Sequence, residues 1–356
     1  MSTASERARI LCQRLGLRTP ILLAPMAGAC PPSLSIAVAR AGGLGACGAL
    51  LMGPDAIAAW VAEFRAGTDG PFQLNLWVPD PPPMRDEPHE QRLREFLANW
   101  GPPVPAQAGD AVPPDFAAQC EALLTARPEA VSSIMGLFPP EFVARLKAAG
   151  IVWLATATTV GEARAAEAAG ADVVLAQGME AGGHRGCFAA EHAETHQVGL
   201  FALLPAVVDA VRIPVVAAGA VADDRGVAAA FALGASGVQV GTAFLRAPEA
   251  QLPPAWADAL ARTDPEDTVL TRAFSGRAGR AIATRYVKAA ASNAAPSPAP
   301  YPVQRGLTAG LRTQATQRGD VECMQAWTGQ AARLAPSQPA ATIFSSLARG
   351  VPQSGP

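Results

Sequence analysis

IVWLATATTVGEARAAEAAGADVVLAQG, residues 151–178, reads as a strand, a helix and a second strand with little chain between them. The outer runs, 151–157 and 172–178, are apolar without alternation. A strand of that kind is covered on both faces, which is the habit of parallel sheets. The middle run, VGEARAAEAAG, is alanine-rich and helical in character. The same unit recurs outward in both directions. ILLAPMA (21–27), GLGACGAL (43–50), FQLNLWV (72–78) and AVSSIMG (130–136) precede it as strand-like runs, and IPVVAAGAV (213–221) and GVQVGTAFL (237–245) follow. Helical stretches lie near 33–42 and at 54–66, 139–150 and 223–234. Eight such units within 21–245 predict a closed (β/α)8 TIM barrel better than an open, doubly wound sheet.

Two regions break the rhythm. Residues 79–129 form a long proline-rich insertion between the third and fourth strands, with helices expected at 88–100 and 115–126. An insertion of that length is expected to act as a lid or binding segment. Residues 266–356 are expected to form a smaller helical cap on a barrel domain spanning 1–265.

Composition excludes several classes. Of 356 residues half are apolar, 16% are charged and the net charge is -2. There is no basic block, so nucleic acid is not an expected partner. Six scattered cysteines with no C-x-x-C argue against a disulfide framework or zinc site, and for reduced thiols in the cytoplasm. The N-terminus is polar, and no apolar run is long enough to span a bilayer, so no membrane association is expected. A monomer or homodimer acting on a small molecule is the expectation.

Barrel sites lie at the C-terminal strand ends. Those ends carry Pro25, Met26, Ala27, Gly48, Asn75, Gly136, Thr156, Gln177, Gly178, Gly219, Ala220, Gly241 and Thr242. There is no metal cluster, carboxylate pair or lysine among them, which disfavours Schiff-base and metal-enolate chemistry. Gly219, and Gly241 with Thr242, follow the seventh and eighth strands, where barrels commonly hold phosphate. Asn75 and Gln177 offer amides to the edge of a flat heteroaromatic ring, and Met26 could lie on its face. A ring with one phosphate suggests FMN. Tight turns without a ligand, and amides that merely satisfy buried backbone, are the plainer alternatives.

LAQGMEAGGHRG (175–186) places a single histidine, His184, among four glycines and one glutamate. An imidazole can donate to an anion or take a proton from a neutral substrate. Glu180 is expected to orient the loop or the ring, and Cys187 to pack. His192 and His196 are spaced like metal ligands but lack a third, and His89 lies in the charged insertion. Arg272, Arg277, Arg280 and Arg285 could steer an anion or tie the cap to the barrel.

That element, followed by PVVAAGAVADDRG (214–226) and GVQVGTAFL, resembles the nitronate monooxygenase family. APMAG (24–28), NLWVP (75–79) and FSGRAGRAI (274–282) are similar to further segments of it, so the likeness covers about 20–350. The resemblance implies FMN bound by Asn75, Gln177, Gly182, Gly219, Gln239, Val240, Gly241 and Thr242, with Gly183 giving clearance beside Gly182. It implies His184 as the active-site histidine. The implied reaction is oxidation of alkyl nitronates by O2 to a carbonyl compound and nitrite, without a nicotinamide. Relatives acting on propionate 3-nitronate tend to carry tyrosines and a lysine after a PYP segment; here PYPVQRGLTAG (300–310) keeps Tyr301 but has Arg305 and Ala309. Arg305 is the expected substitute for binding a substrate carboxylate, with Tyr301 beside it. An NAD(P)H-dependent reductase of quinones or enoyl thioesters on the same barrel, and a non-catalytic flavin-binding protein, are the competing expectations.

Overall fold

The structure, a computed structural model, describes residues 3–353. Eight parallel strands form the central sheet. They are β1 Ile21–Leu23, β2 Gly45–Gly48, β3 Phe72–Trp77, β4 Ala130–Ile134, β5 Val152–Ala157, β6 Val173–Gln177, β8 Val215–Ala218 and β9 Gly237–Val240; the two-residue β7, Gly183–His184, lies outside it. The strand order is β1-β9-β8-β6-β5-β4-β3-β2, and a parallel bridge from Leu22 to Leu44 joins the two ends. The expected TIM barrel is therefore present. All eight expected strands are found, shorter than their apolar runs because every run but that of β5 continues into the loop above the barrel.

The reason for the unbroken apolar runs is visible in the packing. Leu22, Leu154, Val173, Leu175 and Val216 cluster with Leu11 and Leu15 of helix Ala4–Leu15. Their strand neighbours Leu23, Val174, Ala176, Ala217 and Val238 cluster with the surrounding helices instead. Side chains alternate across a strand, so both faces must be apolar here.

The insertion carries helices Glu87–Leu97 and Phe116–Ala126, close to the expected positions. They serve different bodies. Phe116–Ala126 joins the barrel, with Cys120 and Leu123 in the cluster that holds Trp153, while Gln119 donates to the carbonyls of Ala49, Leu50 and Met52 at 3.0, 3.3 and 2.8 Å. Glu87–Leu97 packs Leu93 and Leu97 among Phe274, Tyr286, Val303, Leu307 and Leu311 of the C-terminal region. The insertion thus bridges the barrel and the C-terminal region. At Gly306 a β-carbon would stand 2.0 Å from the Ala108 carbonyl oxygen. Gly306→Ala is expected to lower stability by about 2 kcal/mol through overpacking, read as a drop in Tm; an unchanged Tm would mean this contact yields freely.

The C-terminal region contains helices Arg285–Ala290, Val303–Leu307 and Ala309–Arg318. It also contains two strands that were not expected. β10 Thr268–Thr271 and β11 Gly279–Ile282 pair antiparallel, and β11 continues onto β7 in the register Gly279 to His184 and Arg280 to Gly183. The last helix, Ala340–Ala348, returns to the barrel. Its Ile343, Phe344 and Leu347 share a cluster with Val38 and Val227, so it fills the place of an eighth barrel helix.

Candidate active site

A cavity of about 640 Å³ opens at the C-terminal strand ends. Pro25, Met26, Ala27, Asn75, Gln177, Gly182, Gly183, His184, Gly219, Gln239, Gly241, Thr242 and Arg305 all line it. Two expected residues do not. Val240 is 1% exposed and sits in the wall, where its carbonyl accepts the Ala24 amide at 2.9 Å. Tyr301 packs its ring behind Trp77, with centroids 5.3 Å apart.

Strands β8 and β9 are neighbours, and the loops beyond them form one rim. Gly219 has φ +110 and Ala220 φ +56, both in the left-handed half of backbone space. The amides of Gly219, Ala220, Gly241 and Thr242 find no acceptor among the described residues. Orphan amides converging on a cavity form a cradle for an anion. Thr242 accepts the Gly329 amide at 3.0 Å, which leaves its hydroxyl proton free to be donated. Asn75 donates to the Ser132 carbonyl and hydroxyl at 3.2 and 3.0 Å, leaving its side-chain oxygen as an acceptor in the cavity.

The His184 loop is held from below. The Gln177 amide donates to the His184 carbonyl at 3.2 Å and accepts the Gly186 amide at 2.8 Å. Gln177 therefore shapes the loop with both ends of its amide. Arg185 is 3% exposed and donates to the carbonyls of Gln177 (2.6 Å) and His196 (3.2 Å). Glu180 accepts the Leu200 amide at 2.9 and 3.0 Å, at the start of helix Leu200–Ala210. It orients the loop and does not bond the imidazole. A β-carbon at Gly182 would lie 2.5 Å from the Gly329 nitrogen and 2.6 Å from the Thr328 carbonyl carbon. The clearance at Gly182 thus admits the returning C-terminal chain.

His184 itself stands between two tryptophans. Its ring is 4.6 Å from Trp77, edge-on, and 4.8 Å from Trp327. Its Nε2 lies 2.7 Å from Ser275 Oγ. Burial, then the positive charges of Arg277 and Arg305, push its pKa down to about 3. The neutral imidazole is therefore the form present at physiological pH. Unfolding releases the ring to titrate at its ordinary 6.5. Between those values the unfolded chain binds the proton and the folded chain does not, so this contribution to stability is full above pH 6.5 and is lost as pH falls towards 3. His184→Asn is expected to flatten the Tm-versus-pH curve across that window; parallel curves would show that the ring is not held neutral.

The four tail arginines have structural partners. Arg277 is 3% exposed, pairs with Asp80 at 2.8 and 3.0 Å and donates to the Cys187 carbonyl. Arg280 bonds the Met179 carbonyl and Thr268, Arg272 donates to the Ala190 carbonyl and pairs with Glu194, and Arg285 pairs with Glu322. Arg305 and Arg312 differ. Both line the cavity, and neither has a carboxylate within ion-pair distance among the described residues. Burial lowers the pKa of both, Arg312 to about 10. Arg312 also donates to the Arg305 carbonyl at 2.9 Å, tying the two helices together.

The His192 and His196 rings meet at 4.3 Å, tilted by 31°, and no group of three potential metal ligands occurs among the described residues. His89 bonds the Ser297 carbonyl on the surface, and buried Cys187 donates to the Ala189 carbonyl. Trp77, Ser275, Trp327 and Arg312 are site residues that sequence reasoning did not select. Trp77 and Ser275 stand inside segments already singled out, NLWVP and FSGRAGRAI; nothing local marks Trp327 or Arg312.

The family model for nitronate monooxygenase matches residues 10–350. The chain is 39% identical over 352 residues to a nitronate monooxygenase of Paraburkholderia phytofirmans, covering 97% of this chain and 96% of that one. It is 35% identical over 350 residues to a probable nitronate monooxygenase of Staphylococcus aureus, covering 96% and 97%. Among solved structures, a nitroalkane oxidase from Streptomyces ansochromogenes superposes with a TM-score of 0.85 at 38% identity, covering 94% and 96%. FabK from Thermotoga maritima superposes with a TM-score of 0.74 at 29% identity, covering 95% and 94%.

Proposed function

The chain belongs to the nitronate monooxygenase family, and from that membership and the cavity we propose that it oxidises alkyl nitronates with FMN and O2, giving a carbonyl compound and nitrite. The observation that carries the reading is the pairing, in one cavity, of an orphan-amide cradle with a neutral histidine. The cradle of Gly219, Ala220, Gly241 and Thr242 suits the FMN phosphate. Asn75 and Gln239 offer hydrogen-bonding edges to the ring, and Met26 and Ala27 an apolar surface. Bound FMN would take electrons from the nitronate and pass them to O2.

The protein's own residues position the substrate. The Arg305 guanidinium supplies positive charge in a partly desolvated setting, where attraction for an anion is strengthened. Trp77 and Trp327 flank His184 and cover part of its ring. In this reading the barrel holds the cofactor and the C-terminal segment that lines the cavity, from Arg305 to Ala331, closes over the substrate, while the insertion braces it from outside. No helix among the described residues is long and apolar enough to cross a membrane. The six cysteines are all unpaired, which supports a cytoplasmic setting.

Oxygen uptake by the FMN-loaded protein tests the reading. Uptake with ethyl nitronate that does not depend on NADH is expected; NADH oxidation without nitronate turnover would point to the reductase, and flavin binding without either to a non-catalytic protein. Arg305→Ala is expected to raise KM about tenfold or more for carboxylated nitronates, for loss of a charge-assisted contact, with little change for simple ones. Equal effects on both would refute that role.

A further inference from the structure

We propose that Ser275 is a positioning residue that holds His184 as its Nε2–H tautomer, leaving Nδ1 as the proton acceptor the cavity offers to a neutral nitroalkane. The inference rests on the proposed function, because the product of that proton transfer is the nitronate.

The Ser275 side chain is 1% exposed and makes two contacts, to His184 Nε2 at 2.7 Å and to the Arg277 carbonyl oxygen at 3.1 Å. A hydroxyl has one proton to donate and two lone pairs to accept with. A carbonyl oxygen can only accept, and no other donor reaches this one among the described residues. The hydroxyl proton therefore goes to Arg277. The short contact to His184 then requires the imidazole to be the donor, so the ring's single proton is on Nε2. The reverse arrangement would leave two acceptor oxygens facing each other in a dry site.

The surroundings keep the triad in register. Arg277 is anchored through Asp80 and the Cys187 carbonyl, which fixes the turn that carries both Ser275 and the accepting carbonyl. His184 is fixed by the pairing of β7 with β11 and by the Gln177 bond to its carbonyl. Trp77 and Trp327 hold the ring plane. Nδ1 has no partner among the described residues, and His184 lines the cavity while Ser275 does not.

The resulting step is simple. The α-carbon of a nitroalkane gives its proton to Nδ1, and the C–H electron pair stays on the substrate, which becomes the nitronate anion. The ring becomes an imidazolium that donates to Ser275 through Nε2–H and faces the new anion through Nδ1–H. That adjacent negative charge offsets the burial that otherwise keeps the ring neutral. A nitronate supplied ready-made bypasses the step. Dependence on Ser275 should thus separate the two substrate types.

The test uses FMN-loaded protein with 15N-labelled histidine, His184 being identified by the signals lost in His184→Asn. At neutral pH the expected spectrum shows one protonated nitrogen, Nε2, and a non-protonated Nδ1. Ser275→Ala should mix the tautomers and lower kcat/KM for nitroethane by about tenfold or more, with ethyl nitronate changed less than about twofold. Ser275→Thr, which keeps the hydroxyl, should restore both readouts. An Nδ1–H tautomer in the parent protein would overturn the proposal, as would equal loss on both substrates or no loss on either. Should neither substrate be turned over, the proposed function fails, while the nitrogen spectrum still decides the tautomer. Should Ser275→Ala not fold, the parent spectrum and Ser275→Thr carry the test.

Discussion

Replacing His184 with asparagine is expected to reduce kcat/KM for nitroethane by about 100- to 10,000-fold, the range a positioned proton acceptor contributes. Asparagine is planar and polar but takes up no proton near neutral pH. The loop should survive the change. Its backbone is held by β11, by Gln177 acting on the residue 184 carbonyl, and by Arg185 reaching the Gln177 and His196 carbonyls. None of these bonds involves the imidazole. Bound FMN per chain should therefore stay near the parent value, and the loss should fall on nitroethane far more than on ethyl nitronate. Oxygen uptake with each substrate, on protein of measured flavin content, separates the outcomes. Unchanged turnover of nitroethane would show that its proton goes elsewhere.

The second large effect is expected at the rim of β8 and β9. Gly219→Ala combined with Gly241→Val should weaken FMN binding by at least about 100-fold, since each amide bond to a charged phosphate contributes about 1.5–3 kcal/mol. At Gly219 the φ of +110 lies where a side-chain-bearing residue is strained. A β-carbon there would also approach the Ala181 nitrogen at 3.1 Å. At Gly241 it would stand 3.1 Å from both Ala24 Cβ and Met26 Sδ. Either substitution turns the peptide planes that aim the orphan amides into the cavity. Flavin titration followed by fluorescence reads the change directly. Affinity within a few-fold of the parent would mean that the phosphate is held elsewhere.

How far the site was legible depended on the distance over which each residue acts. The eight strands follow from local chemistry: an apolar run of seven to nine residues beside an alanine-rich helix has few other ways to bury itself. The residues beyond those strands, from Pro25 to Thr242, fall at one end of the barrel for the same reason. Gln177 shows the limit. Its position at the cavity was readable, but both ends of its amide engage the loop seven and nine residues on. Glu180 reads as orienting either the loop or the imidazole, and only its bonds to the Leu200 amide decide for the loop. Gly182 reads as clearance for a ligand, whereas the closest atoms belong to Thr328 and Gly329.

The sequence by itself determined the barrel, the end at which the site lies, and the presence there of a histidine on a glycine loop beside two glycine-bearing strand ends. Each of these rests on interactions between near neighbours in the chain, or on a repeat that any one unit displays. Only the tertiary structure decided what surrounds the histidine. Ser275, 91 residues away, meets its Nε2; Trp77 and Trp327 flank its ring; Arg277 and Arg305 help keep it neutral. Trp77 comes from β3 of the barrel, and the others arrive because β11 pairs with β7 and the C-terminal chain folds back over the barrel. Pairing between segments so far apart leaves no periodicity in either one. The charge and tautomer of an imidazole depend on which groups are within a few ångströms of it, and that is set by packing.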